Sequence, residues 1–245
     1  KNFQGIASER YRRNNIPSLT TDSGFCVEDH ASKEAIIFQT FKERLGTKTK
    51  HDMKLDLPRL IKKIDGLDEL TVPFTMEEID QVIKSMPADR APGPDGFTGV
   101  FLKTCWEVIK EDLMAAIHKL FIGNGRGFGR LNQALITLLP KSPDASSVFD
   151  FRPISLVHSM PKIASKLLTA RLRPRMGDLV EVNQSAFIKG RCLHDNFLLV
   201  RQMARSMHRR KAKGVLLKLD ITKAFDSLSW PFLFQVLRAK GFSER

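Results

Sequence analysis

Leu217-Lys218-Leu219-Asp220-Ile221-Thr222-Lys223-Ala224-Phe225-Asp226 places a carboxylate at the end of a short apolar run, with an aromatic five residues on and a second carboxylate beside it. A strand-end Asp can offer hard oxygen to a divalent ion, with the next carbonyl, that of Ile221, as a neighbour. Such ions serve phosphoryl transfer by clamping the attacking and leaving oxygens. Taken alone, the pattern more often marks an Asp that caps a turn or a helix. Lys141 and Arg152 form a second candidate pair, because a guanidinium fork and an ammonium at a hairpin tip suit a triphosphate. Each alone is also an ordinary surface cation.

The elements that would position these groups can be read from pattern. Residues 215–219 predict a strand opened by Gly214, and residues 134–139 and 151–156 predict two more, paired through the loop 142–150. Ile16-Pro17-Ser18-Leu19 and Phe25-Cys26-Val27 flank turn residues and suggest a small hairpin. Ala35, Ile37, Phe38, Phe41 and Leu45 recur at helical spacing, with Gly46 as a stop. Residues 47–68 are polar and charged and read as a loose linker. Thr75 and Glu78 form a capping box ahead of the stripe Ile79, Val82, Ile83 and Met86. Ala91-Pro92-Gly93-Pro94-Asp95-Gly96 is a rigid, non-helical turn. Further helices are predicted over about 99–121, 162–172, 197–207 and 230–240, the last closed by Gly241.

Composition narrows the function classes. The 245 residues carry a net charge of +13 and are 42% hydrophobic. A chain this basic meets a polyanion or carries a solvated basic surface. The cations gather at Arg171, Arg173 and Arg175, and again at Arg201, Arg205, Arg209, Arg210, Lys211 and Lys213. No apolar run approaches a membrane span. The first residues show no initiator Met and no signal-peptide pattern, so the chain reads as the middle of a longer protein. The cysteines Cys26, Cys105 and Cys192 are widely spaced without a CxxC pair, which argues against zinc and for a reduced intracellular setting. Gly123-Asn124-Gly125-Arg126-Gly127-Phe128-Gly129 lacks the G-K-[ST] of a P-loop and reads as a helix terminus. No H-E-x-x-H and no G-x-S-x-G occurs, which leaves a hydrolase unsupported.

The order of the motifs carries more than any one of them. Ala91-Pro92-Gly93-Pro94-Asp95-Gly96-Phe97, Trp106, Leu138-Leu139-Pro140-Lys141, Phe151-Arg152-Pro153-Ile154-Ser155-Leu156, Gln184-Ser185-Ala186-Phe187-Ile188-Lys189-Gly190-Arg191 and Leu219-Asp220 to Phe225-Asp226 follow one another. This series resembles the reverse transcriptases of non-LTR (LINE-type) retrotransposons, as found in plant genomes, from about Pro73 onward. The resemblance implies an α+β fold: an incomplete right-hand polymerase, helix-rich, with fingers and the first palm strand. Residues 1–72 would link endonuclease and polymerase regions, 73–133 would extend the fingers, 134–213 would be the fingers, and 214–245 would begin the palm.

Residue by residue, the resemblance makes Asp220 the first catalytic aspartate and a metal ligand, with Ile221 giving a carbonyl ligand. Phe225 matches the steric gate that admits deoxyribose and excludes a 2′-hydroxyl. Lys141 and Arg152 match the residues gripping the triphosphate. Gln184, Phe187 and Arg191 fall in the motif lining the template path, and Asp226 matches a structural aspartate. Arg201, Arg205, Arg209 and Arg210 would follow nucleic-acid backbones. The implied cofactor is Mg²⁺, two ions in the intact enzyme, with Mn²⁺ as a substitute. The implied partners are an RNA template, a DNA primer and a dNTP, with no membrane, and an element-encoded endonuclease with further palm and thumb in the same polypeptide. A nuclear or cytoplasmic location follows. No Asp-Asp dipeptide occurs in the sequence, so the expectation is that this chain alone is inactive. Two other readings stand beside this one: a non-catalytic nucleic-acid-binding remnant, and a protein similar to group II intron maturases.

Overall fold

The computed structural model describes residues 5, 15–21, 23–46, 55–123, 127–221, 224–225 and 227–244. In chain order its elements are β1 (Leu19–Thr20), β2 (Cys26–Val27), α1 (His30–Gly46), α2 (Leu57–Leu60), α3 (Met76–Ser85), α4 (Gly99–Thr104), α5 (Trp106–Ile122), α6 (Phe128–Leu131), β3 (Ala134–Pro140), β4 (Phe151–Val157), α7 (Ser159–Leu172), α8 (Met176–Leu179), α9 (Leu193–Arg209) and α10 (Trp230–Lys240). The fold is α+β and helix-rich, with two small antiparallel sheets, β1–β2 and β3–β4. The chain divides into two compact units, residues 1–50 with 74–165, and residues 51–73 with 166–245.

In the first unit, the β3–β4 hairpin carries the candidate cations Lys141 and Arg152. Its register runs from Ala134 opposite Val157 to Pro140 opposite Phe151. Side chains alternate across a strand, so Leu138 and Phe151 turn inward, where they join Leu19, Phe41 and Val148 in one apolar cluster. Leu135, Leu139, Ile154 and Arg152 turn outward and are exposed. The connecting loop is closed by a capping box in which Ser147 and Asp150 satisfy each other's backbone. A second cluster is built on α3. Thr75 and Glu78 complete the expected capping box, and Ile79, Val82, Ile83 and Met86 are all buried. Leu102, Trp106 and Ile117 are buried as well, and Phe74 meets Phe121 edge-on at 5.1 Å between ring centroids.

The single helix expected over 99–121 is two. Cys105 ends α4 and precedes α5 with φ −91° and ψ 10°. That conformation departs from the helical value and redirects the chain, so that Trp106 begins a new helix with its indole buried. The helix expected from 162 starts earlier, at Ser159. Pro161 is tolerated there because the first turn has no intrahelical use for its amide.

In the second unit, α10 ends as expected, with Gly241 in the left-handed region at φ 104°. A Cβ there would lie 2.5 Å from the Ile64 carbonyl oxygen, and the Ile64 amide donates to the Lys240 carbonyl at 2.8 Å. The described part of the expected loose linker is therefore anchored. Leu57 and Leu67 are buried at 8% and 2% exposure, and two arginines hold the backbone of residues 65–73. Arg171 donates to the carbonyls of Leu70, Val72 and Pro73, and Arg175 to that of Asp65. The strand expected over 215–219 is not formed. These residues carry no regular secondary structure, and Val215, Leu216, Leu217 and Leu219 are 74–95% exposed. A strand is a pairing, and no ladder partner lies beside this segment among the described residues.

Candidate functional site

The first unit holds the two cations assigned to a triphosphate. Arg152 lies opposite Leu139, and the backbone pairing continues one step further, the Lys141 amide donating to the Asp150 carbonyl at 2.8 Å. Lys141 is two residues beyond Leu139, so Lys141 and Arg152 share the outward face of the hairpin, on diagonal neighbouring positions. Both are exposed. The Lys141 ammonium donates to the Phe149 carbonyl at 2.5 Å, which draws it against the loop. The Arg152 guanidinium has no hydrogen-bond or ion-pair partner among the described residues. Next to Lys141, Asp150 accepts from the Ser147 and Ser146 amides at 2.9 and 3.2 Å. Those amides hold its carboxyl below the usual carboxylate range, with the Lys141 charge adding to the effect.

The second unit holds the remaining candidates. Its 176–192 stretch is organised around Arg191. The guanidinium donates to Glu181 at 2.5 Å, Gln184 at 2.7 Å, Val180 at 2.8 Å and Gly177 at 3.4 Å, all carbonyl oxygens. Arg191 thus ties the end of α8 to the turn that follows. On that turn, Gln184 donates to the Ala186 carbonyl at 3.3 Å. Phe187 adopts φ 65°, unusual for a bulky residue, and its ring is fully exposed. Ser185, beside it, is buried with its hydroxyl unpartnered among the described residues.

Along α9, Arg201, Arg205 and Arg209 recur every four residues and share one exposed face, while Arg210 caps the helix. Arg171 and Arg175, grouped with Arg173 by sequence as a basic cluster, are instead spent on backbone carbonyls of residues 65–73. Sequence carries no mark of this, because the acceptors lie about a hundred residues earlier, 99 for Val72 and 110 for Asp65.

Asp220, Ile221 and Phe225 are all exposed, Ile221 by 73% and Phe225 by 93%. Asp226 lies outside the described residues. A carboxylate and an adjacent carbonyl are the hard oxygen donors that Mg²⁺ takes, and Mg²⁺ needs only one or two carboxylates from protein. The donor type therefore fits, yet no group of three or more His, Cys, Asp or Glu residues able to hold a metal forms among the described residues. The candidates are divided between the two units, Lys141 and Arg152 in the first and the others in the second.

Comparison with known proteins places these residues in context. The family described as "Reverse transcriptase (RNA-dependent DNA polymerase)" matches residues 139–245. A transposon TX1 149 kDa protein of Xenopus laevis is 30% identical over 175 residues, 71% of this chain and 13% of its own length. The Pol polyprotein of the type-2 retrotransposable element R2DM of Drosophila melanogaster is 31% identical over 153 residues, 62% of this chain and 14% of its own length. That of the type-1 retrotransposable element R2 of Nasonia vitripennis is 29% identical over 171 residues, 69% of this chain and 16% of its own length. The chain thus spans 13–16% of the length of these relatives.

Proposed function

Because this chain belongs to the reverse transcriptases of non-LTR retrotransposons, we propose that it supplies the fingers and the start of the palm to an RNA-directed DNA polymerase. The observation that carries the reading is that Lys141 and Arg152, both inside the matched residues, lie on diagonal positions of one exposed hairpin face. In this proposal the two cations hold the triphosphate of an incoming dNTP, and Phe225 reads its sugar. Asp220 and the Ile221 carbonyl provide ligands to Mg²⁺, which supplies charge neutralisation at the transferring phosphoryl group. The exposed ring of Phe187 offers a face to a template base. Arg201, Arg205, Arg209 and Arg210 follow template or primer phosphates. The segments 1–72, 73–133, 134–213 and 214–245 then correspond to linker, fingers extension, fingers and early palm, within a longer polyprotein that acts on nuclear DNA. No described helix is long and apolar enough to cross a membrane.

The test uses the full-length element protein with an RNA template, a DNA primer and Mg²⁺. Asp220→Ala lowers nucleotide incorporation by about a thousandfold or more, since a lost metal ligand removes several kcal/mol of transition-state stabilisation. RNA binding stays unchanged. Loss of RNA binding in parallel with activity refutes the metal-ligand role of Asp220.

A second reading, a binding remnant without chemistry, draws on the exposed arginine row of α9. It predicts salt-steep RNA binding whose log–log slope shrinks by about one for each of Arg205 and Arg209 replaced by alanine, together with an unaltered phenotype for Asp220→Ala.

A further inference from the structure

The Asp95 carboxylate is turned into the protein. Oδ2 accepts from the Ser159 amide at 2.5 Å and the Ser159 hydroxyl at 2.7 Å, and Oδ1 from the Phe97 amide at 3.4 Å. His158 Nδ1 lies 3.6 Å from Oδ2, and the Asp95 side chain is 16% exposed. Ser159 opens α7, whose first turn needs an acceptor for its free amides. The preceding residue, His158, is not among the preferred capping types. The acceptor arrives instead from 64 residues earlier in the chain, and a carboxylate there also suits the positive end of the helix. Two more contacts fasten the same turn. Gly93 lies so close to the end of β4 that a Cβ on it would sit 2.0 Å from the Val157 carbonyl oxygen. The Lys162 ammonium, one turn into α7, donates to the Ala91 carbonyl at 3.3 Å.

The turn therefore grips the point where β4 becomes α7, which is the root of the hairpin whose far end carries Lys141 and Arg152. A seven-residue strand is a lever of roughly 20 Å, so a tilt of about 5° at the root moves the tip by about 2 Å. Displacements near 1 Å already cost about a hundredfold where groups must meet a reacting substrate.

We infer that Asp95 is a positioning residue for nucleotide binding, fixing the hairpin root through Ser159 and so aiming Lys141 and Arg152. The inference rests on the reading of those two cations as the triphosphate grip. It is tested in the full-length protein by steady-state dNTP incorporation. Asp95→Ala raises KM for dNTP about tenfold with RNA–primer affinity and kcat nearly unchanged, and Ser159→Ala, which removes only the hydroxyl bond, raises it about threefold. Asp95→Asn keeps one acceptor oxygen and falls between wild type and alanine. In a Lys141→Ala/Arg152→Ala background, Asp95→Ala adds less than about twofold, because its effect passes through those two residues. An unchanged KM in folded Asp95→Ala and Ser159→Ala proteins overturns the inference, as does an effect that multiplies independently with the loss of both cations. If Arg152→Ala itself leaves KM unchanged, the triphosphate grip is what fails, and the positioning role falls with it.

Discussion

If Arg191 serves the template path as proposed, it can act in two ways. It can meet nucleic acid with its charge, or it can shape the loop that does. Its guanidinium makes three short bonds, to the carbonyls of Glu181, Gln184 and Val180 at 2.5–2.8 Å, and a long one of 3.4 Å to Gly177. Charge-assisted bonds in the interior contribute about 1.5–3 kcal/mol each. Of these acceptors only the Val180 carbonyl is in a part-buried contact, so a solvent-discounted value of about 0.5–1 kcal/mol for each short bond is appropriate, or roughly 2 kcal/mol for the clamp. Arg191→Ala should then raise the open population of the 180–191 loop by about thirtyfold. Amide hydrogen exchange across the loop reads that opening directly. Arg191→Lys should open it nearly as far, since one ammonium cannot fork across four carbonyls. RNA affinity of the full-length protein should fall for both variants with the salt slope intact, because no phosphate contact is lost. The clamp argument is refuted if lysine restores affinity and alanine lowers the salt slope by about one, the signature of a direct phosphate contact.

The other expectations concern packing, titration and sugar selection. Gly93→Ala puts a methyl 2.0 Å from the Val157 oxygen and 2.4 Å from its carbon, both backbone, so it should cost about 2–3 kcal/mol in urea denaturation; a loss under 1 kcal/mol means that the turn does not rest on β4. Gly241→Ala combines φ 104° with a Cβ 2.5 Å from the Ile64 oxygen and should destabilise by at least about 1–2 kcal/mol, which wild-type-like melting would contradict. The Asp95 carboxyl sits below its ordinary 3.8: burial pushes it upward, but the Ser159 amide and hydroxyl, the Phe97 amide and the nearby His158 outweigh burial. A depressed folded-state pKa means that this anchoring is fully present above about pH 4 and is lost as pH falls through the lower folded value. An NMR titration in which Asp95 protonates at or above 3.8 would remove the basis for it. Phe225→Val in the full-length enzyme should admit ribonucleotides, and unaltered dNTP preference in competition assays would sink the steric-gate assignment.

What could be read from sequence is what short-range chemistry decides. Thr75 and Glu78 satisfy each other within one turn, so the capping box was legible, and so was the C-terminus of α10, where Gly241 takes the left-handed conformation. The β3–β4 hairpin was legible because two short, mostly apolar runs, the first ended by Pro140, are joined by a loop rich in turn residues. The break at Cys105 was not, because the apolar spacing from Phe101 to Leu120 continues through it, and burial of Trp106 by its neighbours decides the kink. Arg171, Arg175 and Arg191 look like surface cations in any local reading. Their role comes from backbone carbonyls that folding delivers to them, and an acceptor that every residue possesses leaves no trace in composition. Asp95 was read as part of a rigid turn, yet its partner Ser159 is visible only once β4 and α7 are in place.

The segment 215–221 shows the same division most sharply. Its apolar residues have strand propensity, and a strand is the natural expectation. Propensity, however, describes fitness for a pleated surface, not possession of one. Here the backbone finds no ladder among the described residues, and Leu217, Leu219 and Ile221 remain more than 70% exposed. Asp220, the residue with the strongest claim to chemistry, lies within this segment. Its usefulness as a metal ligand depends on a fixed backbone direction, which in a strand comes from neighbours on both sides. The hairpin cations are in the opposite situation, their backbone already paired and their root fastened by Asp95. The hairpin is therefore the part of the proposed site that the described residues organise by their own contacts, while the segment that carries Asp220 has no ladder partner among them.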